Sequence, residues 1–138
     1  MRKGEILGLE WAHINLEKEF LTVVSGNSES GKSRHIPFNK AALVNWLNDT
    51  NSQGCVFKGI DDQPIKEIKK AWGNLLINAD ILDFRFHDLR HHLASKLVMA
   101  GVDLNTVREL MGHSDLKMTL RYAHLAPEHK AAAINLRG

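Results

Sequence analysis

The alternation of apolar and polar residues predicts a small sheet near the start of the chain. Ile6 and Leu9 lie at helical spacing and predict a short first helix. His13 to Leu16 and Phe20 to Val24 have strand character on either side of a charged turn, so we expect a hairpin there. Arg34 to Phe38 has strand character again after a polar loop. Together these segments predict an antiparallel sheet of about three strands.

The remainder of the chain has the periodicity of helices. Asn39 is well placed to cap a helix that runs through Leu47. Further helices are predicted over Ile65 to Ile77, Asp88 to Ala100, Asn105 to Met111 and Asp115 to Ala123, with a last segment after Pro127. The fold class that follows is α+β and mainly helical, with a small three-stranded antiparallel sheet followed by a helical bundle.

Two of the predicted helices carry apolar stripes. In the helix predicted at 88–100 the stripe consists of Leu89, Leu93, Leu97 and Ala100. In the helix predicted at 115–123 it consists of Leu116, Leu120 and Ala123. We expect both stripes to face the core. Tyr122 lies well off the second stripe, so we expect it to be presented to a cleft.

Composition narrows the class of protein. The 138 residues are 43% hydrophobic and 25% charged, which is ordinary for a globular domain and untypical of disordered or membrane-spanning chains. The net charge of +2 permits a nucleic-acid partner without requiring one. The single cysteine, Cys55, excludes an internal disulfide and fits the reducing cytoplasm. We expect no membrane segment, because the sequence has no long apolar span.

Basic side chains and one tyrosine are the candidates for chemistry. Cleaving a DNA strand without a metal requires neutralising the charge of a phosphorane-like transition state, which guanidinium groups do with paired hydrogen bonds. Arg2 and Arg90 are the candidate arginines. Tyr122 is the candidate nucleophile, because a phenolate oxygen can attack phosphorus and hold it as an ester without a cofactor. His87 and His113 can donate hydrogen bonds to the phosphate or move protons.

A zinc site is the competing interpretation of the histidines. His87 and His91 are four residues apart, but the HExxH helix of metallohydrolases has glutamate where this chain has Asp88. The chain also lacks a Cys-x-x-Cys pair. We therefore expect no metal and no other cofactor, and we assign His91 and His92 to the face of their helix.

The combined motifs resemble the tyrosine recombinase (phage integrase) family. The family's Gly-x-Arg-x-x-Glu-x-x-x-Leu-x-Trp pattern is similar to the segment from Arg2 to Trp11. The resemblance makes Arg2 the first catalytic arginine and Glu5 a supporting residue. The remaining matches are the family's His-x-x-Arg box at His87 and Arg90, its Gly-His at Gly112-His113, and its nucleophile at Tyr122.

One catalytic position departs from the family pattern. Family members usually carry a lysine in the turn of the sheet, which protonates the departing 5′ oxygen. Aligned on the segment from Gly31 to Phe38, that position holds Glu29. A carboxylate would repel the phosphate and, once ionised, has no proton to donate. Lys32, in the same loop, is the candidate general acid in its place.

The resemblance implies a site-specific DNA recombinase or integrase that acts on double-stranded DNA, as a homotetramer when full length. Residues 1–138 are then a partial catalytic domain, without its N-terminal part and without the DNA-clamping domain. Such a protein would be bacterial or phage-derived and cytoplasmic. The segment Pro127 to Arg137 is expected to pack against a neighbouring subunit. Two alternatives remain open: a DNA-binding module that has lost cleavage, motivated by Glu29, and an enzyme similar to type IB topoisomerases.

Overall fold

The computed structural model describes residues 1–24, 31–47, 53–127 and 134–135. Three antiparallel strands form a sheet in the order β1-β2-β3, with bounds β1 Ile14–Asn15, β2 Phe20–Val23 and β3 Arg34–Pro37. The register places Leu21 between Ile14 and Ile36. Asn15 Oδ1 accepts a hydrogen bond of 2.8 Å from the backbone of Lys18, which closes the hairpin turn. The predicted three-stranded sheet is confirmed.

The other regular elements named among the described residues are helical. Their bounds are α1 Lys3–Leu7, α2 Lys40–Leu47, α3 Lys69–Asn78, α4 Asp88–Met99, α5 Leu104–Met111 and α6 Lys117–Leu120, with 3₁₀ turns at Trp11–His13 and Ala123–Leu125. Asn39 Oδ1 accepts a hydrogen bond of 2.9 Å from the backbone of Ala42, so the predicted cap of α2 is confirmed. The helix predicted at 115–123 is shorter than expected. The segment after Pro127 lies largely outside the described residues.

Helix α5 has a well-defined cap at each end. Asp103 accepts hydrogen bonds of 3.0 Å from the backbones of Asn105 and Thr106 at its start. Gly112 ends the helix with φ of +65°, a left-handed conformation that glycine adopts without strain. A side chain at Gly112 would collide with the guanidinium of Arg34 on β3. This turn therefore brings the sheet against the end of α5.

The buried residues form two clusters. The cluster against the sheet consists of Leu9, Leu21 and Val23. The helical cluster consists of Ala94, Val98, Val107, Met111 and Tyr122. Tyr122 belongs to the helical cluster, and Met1, next to Arg2, packs against the sheet cluster.

The predicted apolar stripes are wrong in their orientation. On α4 the buried residues are Arg90, Ala94 and Val98, whereas Leu89 and Leu93 are 45% and 49% exposed. The small Ala94 allows α4 to approach its neighbours closely on that face. On α6 Thr119 is buried and Leu120 is 47% exposed. Because the helix ends at Leu120, helical periodicity does not extend to Tyr122 and mispredicts its face.

Candidate active site

A cavity of about 190 Å³ lies where α1, α4 and the segment around α6 meet. All five residues predicted to be catalytic line it: Arg2, His87, Arg90, His113 and Tyr122. His91, Met118 and Arg121 complete the lining. The structure therefore brings together side chains that lie more than a hundred residues apart in the sequence.

Tyr122 is packed more deeply than the sequence predicted. Its side chain is 7% exposed, and its ring belongs to the helical core cluster with Met111 and Val98. The hydroxyl forms a hydrogen bond with Nδ1 of His91. The expectation that Tyr122 is presented to a cleft and not buried is wrong for the ring, although the residue does line the cavity.

Arg90 is held rigidly on the buried face of α4. Its Nη2 donates a hydrogen bond to the carbonyl oxygen of Met111, the last residue of α5. Nη1 is buried and has no protein hydrogen-bond partner among the described residues. Burial lowers the pKa of Arg90, and the nearby charge of Arg2 lowers it further. The guanidinium is thus a fixed cation whose Nη1 can still donate a hydrogen bond to a ligand.

Glu5 connects α1 to the sheet through Arg34 and also interacts with Arg2 at the start of its own helix. Its Oε2 accepts hydrogen bonds from the backbone of Arg2 at 2.7 Å and from Nη2 of Arg34 at 2.8 Å. The second carboxylate oxygen lies 3.8 Å from Nη1 of Arg2. Burial raises the pKa of Glu5, but the hydrogen bonds from Arg34 and Arg2 outweigh it and the net pKa is lowered. The sequence anticipated Glu5 as a supporting residue and missed Arg34.

His113 is neutral in this setting. Burial, together with the positive charges of Arg90 and Arg2, lowers its pKa to about 4. Its Nδ1 is hydrogen-bonded to Oγ1 of the buried Thr119 at 2.8 Å. The bond at Nδ1 leaves Nε2 to interact with a ligand in the cavity. His87 is exposed, yet partial desolvation of its ring, followed by the charges of His91 and Arg90, lowers its pKa as well.

Other sequence candidates lie apart from this cavity. Lys32 lines a second cavity, of about 550 Å³, which shares His113 with the first. Its role as general acid stays a prediction. Glu29 lies outside the described residues.

The described residues bear on two other kinds of feature, a metal site and a membrane span. Among those residues no group of three or more His, Cys, Asp or Glu side chains is arranged to hold a metal ion. In the same part of the chain, no helix has both the length and the apolar character needed to cross a bilayer.

In this α+β domain, one cavity is lined by a tyrosine, arginines and histidines. A protein with these groups together belongs to a class suited to phosphoryl chemistry. Over residues 1–129 the chain matches the phage integrase family, and it belongs to that family. It is 32% identical to the integrase of Salmonella phage P22, over 94% of this chain and 37% of that protein. It is 34% identical to the shufflon-specific DNA recombinase of Escherichia coli, over 91% of this chain and 32% of that protein. The chain thus spans about a third of the length of these relatives.

Solved structures agree with this assignment. The catalytic domain of bacteriophage HP1 integrase superposes with a TM-score of 0.73 at 26% identity, over 98% of this chain and 73% of that one. The Tn1549 transposon integrase, solved in complex with transposon right end DNA, gives a TM-score of 0.80 at 20% identity, over 99% of this chain and 54% of that one. The second likeness concerns the fold alone.

Proposed function

We propose that this chain is the catalytic part of a site-specific recombinase or integrase that cleaves and rejoins double-stranded DNA through a 3′-phosphotyrosine intermediate. The carrying observation is that the hydroxyl-bearing Tyr122 and the fixed guanidinium of Arg90 line the same small cavity. A nucleophile and a phosphate-binding cation are thereby in reach of one phosphodiester.

The charge balance of the site supports a phosphate ligand. Arg2 and Arg34 both contact the buried carboxylate of Glu5, and the charge of Arg90 interacts with all three groups. Buried donors without partners are costly, and Nη1 of Arg90 and both Nε and Nη1 of Arg34 are such donors among the described residues. A phosphodiester supplies both the missing negative charge and acceptor oxygens.

The roles follow from the chemistry of each group. The Tyr122 oxygen attacks phosphorus, the bond from phosphorus to the 5′ oxygen breaks, and the 5′ oxygen takes a proton. Arg2 and Arg90 stabilise the nonbridging oxygens, with Glu5 holding Arg2 in place. His87 and neutral His113 donate hydrogen bonds to the phosphate. Lys32 remains the candidate proton donor to the 5′ oxygen, and no metal or cofactor takes part in the proposed steps.

The relatives support the biological setting of this proposal. They are named as an integrase of a phage and a DNA recombinase of a bacterium, and a structural relative was solved on transposon DNA. We propose the same setting here, with duplex DNA as substrate in a bacterial cytoplasm. A homotetramer on DNA is part of the proposal and is tested by sedimentation of the DNA complex.

The test is covalent capture. A pool of duplexes with a randomised centre and 5′-bridging phosphorothiolate linkages is incubated with the protein, since a thiol leaving group needs no general acid and rejoins poorly. DNA attached to protein after denaturation is amplified and sequenced, which also gives the recognition site. We expect an adduct for the natural chain and none for Tyr122→Phe, which keeps the ring and lacks only the hydroxyl.

The outcomes separate the alternatives. Duplex binding without any adduct, even on the phosphorothiolate, would contradict cleavage and favour a DNA-binding module. Capture from the pool without sequence enrichment, joined with relaxation of supercoiled DNA, would favour an enzyme similar to type IB topoisomerases. An adduct on phosphorothiolate but not on ordinary DNA, restored by Glu29→Lys, would locate a defect in the proton donor to the 5′ oxygen.

A further inference from the structure

His91 contacts the oxygen atom that the proposed reaction uses as its nucleophile. It follows Arg90 on α4, and its Nδ1 is hydrogen-bonded to the hydroxyl of Tyr122. The ring centroids of His91 and Tyr122 are 6.1 Å apart. His91 is half-buried and lines the same cavity, so its ring lies both against the phenol and beside the space that a phosphate would fill.

His87 occupies a different position relative to the phenol. Its ring packs edge-to-face on that of His91, with centroids 4.7 Å apart and planes at 82°. Among the described residues it is His91, and not His87, whose ring nitrogen is hydrogen-bonded to Tyr122. The motif singles out His87, but the geometry assigns the contact with the nucleophile to the histidine one helical turn later.

We infer that His91 is a catalytic residue that takes the proton of Tyr122 during cleavage and returns it during rejoining, an inference that rests on the proposed function. A phenol is a weak nucleophile until its proton is removed, and imidazole accepts protons near neutral pH. The proton moves from the Tyr122 oxygen to Nδ1 as the oxygen–phosphorus bond forms. The bond from phosphorus to the 5′ oxygen breaks, and that oxygen takes a proton from the general acid, for which Lys32 is the candidate.

Rejoining reverses each transfer. A DNA 5′ hydroxyl attacks phosphorus and returns its proton to the group that supplied it in cleavage, for which Lys32 is the candidate, and the bond between phosphorus and the Tyr122 oxygen breaks. The imidazolium of His91 then gives its Nδ1 proton back to the departing phenolate.

The test compares His91→Asn with His92→Asn. Asparagine at position 91 keeps a hydrogen-bonding group near the place of Nδ1 but does not carry a proton away. His92 is the adjacent, exposed histidine on the same helix and is the matched control. In single-turnover capture on the selected phosphorothiolate duplex, we expect His91→Asn to slow adduct formation by about 100-fold or more, the usual contribution of a general base. His92→Asn should match the natural chain.

Making the phenol of Tyr122 more acidic distinguishes two roles for His91, which are removing the proton and only positioning the ring. Tyr122 is the only tyrosine in the chain, so biosynthetic replacement of tyrosine by difluorotyrosine changes this position alone. If His91 removes the proton, the more acidic fluorinated phenol depends less on it. Fluorination should then restore much of the rate of adduct formation in His91→Asn and change that rate less in the natural chain. Equal effects of fluorination on both proteins would assign His91 a positioning role only and overturn the inference.

A measurement without DNA checks the starting geometry. Long-range ¹H–¹⁵N NMR, with His91 assigned by its loss in His91→Asn, should find the neutral ring protonated at Nε2 and free of a proton at Nδ1. The opposite tautomer would overturn the inference, because Nδ1 would then donate to the phenol. If the natural chain forms no Tyr122-dependent adduct, the proposed function fails and the inference with it. If the adduct forms and His91→Asn is as fast as His92→Asn, only the inference fails.

Discussion

At the scale of single residues, Thr119 controls what its neighbour His113 can do. Its hydroxyl is fully buried and bonded to Nδ1 of His113 at 2.8 Å. Which ring nitrogen of a histidine is available to a ligand depends on the bond made by the other. In the proposed reaction, the Thr119 hydroxyl therefore acts on the phosphate only through His113, as a positioning group.

Replacing Thr119 by valine tests this role at nearly constant volume. We expect Thr119→Val to leave Nδ1 of His113 without its partner, to lower the free energy of unfolding by about 1–3 kcal/mol, and to slow covalent capture. Thr119→Ser keeps the hydroxyl and loses one buried methyl, at a cost of about 1 kcal/mol, and should retain capture. Urea unfolding and single-turnover capture measure the two effects, and equal capture by both variants would contradict the role.

The low pKa of His113 makes stability depend on pH. Its folded pKa of about 4 lies below the ordinary value of 6.5, so the unfolded chain binds the proton more readily. The stabilisation is present above pH 6.5 and is lost as the pH falls from 6.5 through 4. Between pH 7 and pH 5 we expect a loss on the order of 2 kcal/mol, measured by urea unfolding. His113→Gln has no such titration and should lose this part of the dependence, while an unchanged profile would contradict the assignment.

At the scale of elements, the sequence predicted the strands and most helix bounds but not which helix faces are buried. Alternation and cap residues such as Asn39 act locally and can be read from the chain. The buried face of α4 depends on partners elsewhere, because Arg90 turns inward to bond Met111 and small Ala94 permits close packing. The motifs predicted five residues that line one cavity. The contacts of Arg34 and His91 depend on residues distant in the sequence, so they were not predictable.

The buried face of α4 can be verified with two truncations. Val98 is fully buried in the helical cluster, and Leu93 is 49% exposed. Val98→Ala should lower the free energy of unfolding by about 2 kcal/mol through lost burial and a residual cavity. Leu93→Ala, although it removes more carbon, should cost less than about 1 kcal/mol. Urea unfolding measures the loss in both variants. A larger loss for Leu93→Ala than for Val98→Ala would mean that the apolar stripe predicted from sequence is the buried face.

The turn after α5 offers a second test at this scale. Gly112 has φ of +65° and a side chain there would come within 2.7 Å of Nη1 of Arg34. Gly54 has φ of +67°, and a methyl group added there would meet nothing within 4 Å, so it carries the same backbone penalty without the collision. We expect Gly54→Ala to cost about 1–2 kcal/mol and Gly112→Ala about 1–3 kcal/mol more. Thermal unfolding measures both, and equal losses would show that Arg34 moves away freely.

At the scale of the whole molecule, a few polar contacts join the sheet half to the helical half. Glu5 ties α1 to Arg34 on β3, and the guanidinium of Arg34 lies against Gly112 at the end of α5. Arg90 then links α4 to the same turn through Met111. We call these contacts between the sheet and the helices the junction. Because the junction shapes the cavity, a change in Glu5 should affect both the stability of the fold and the binding of phosphate.

Glu5→Gln tests this coupling, because glutamine keeps the shape and loses the charge. Three arginines would then share the junction without their carboxylate, and we expect the free energy of unfolding to fall by about 3 kcal/mol. Sulfate should recover more stability in this variant than in the natural chain, because an anion that binds the folded state stabilises it and the variant has the greater excess of positive charge. The control is Glu17→Gln, an exposed carboxylate in the hairpin turn, which should change stability by less than about 1 kcal/mol. Thermal unfolding with and without sulfate measures both effects. Equal behaviour of the two variants would mean that Glu5 does not hold the junction together, and that the arginines are arranged by packing alone.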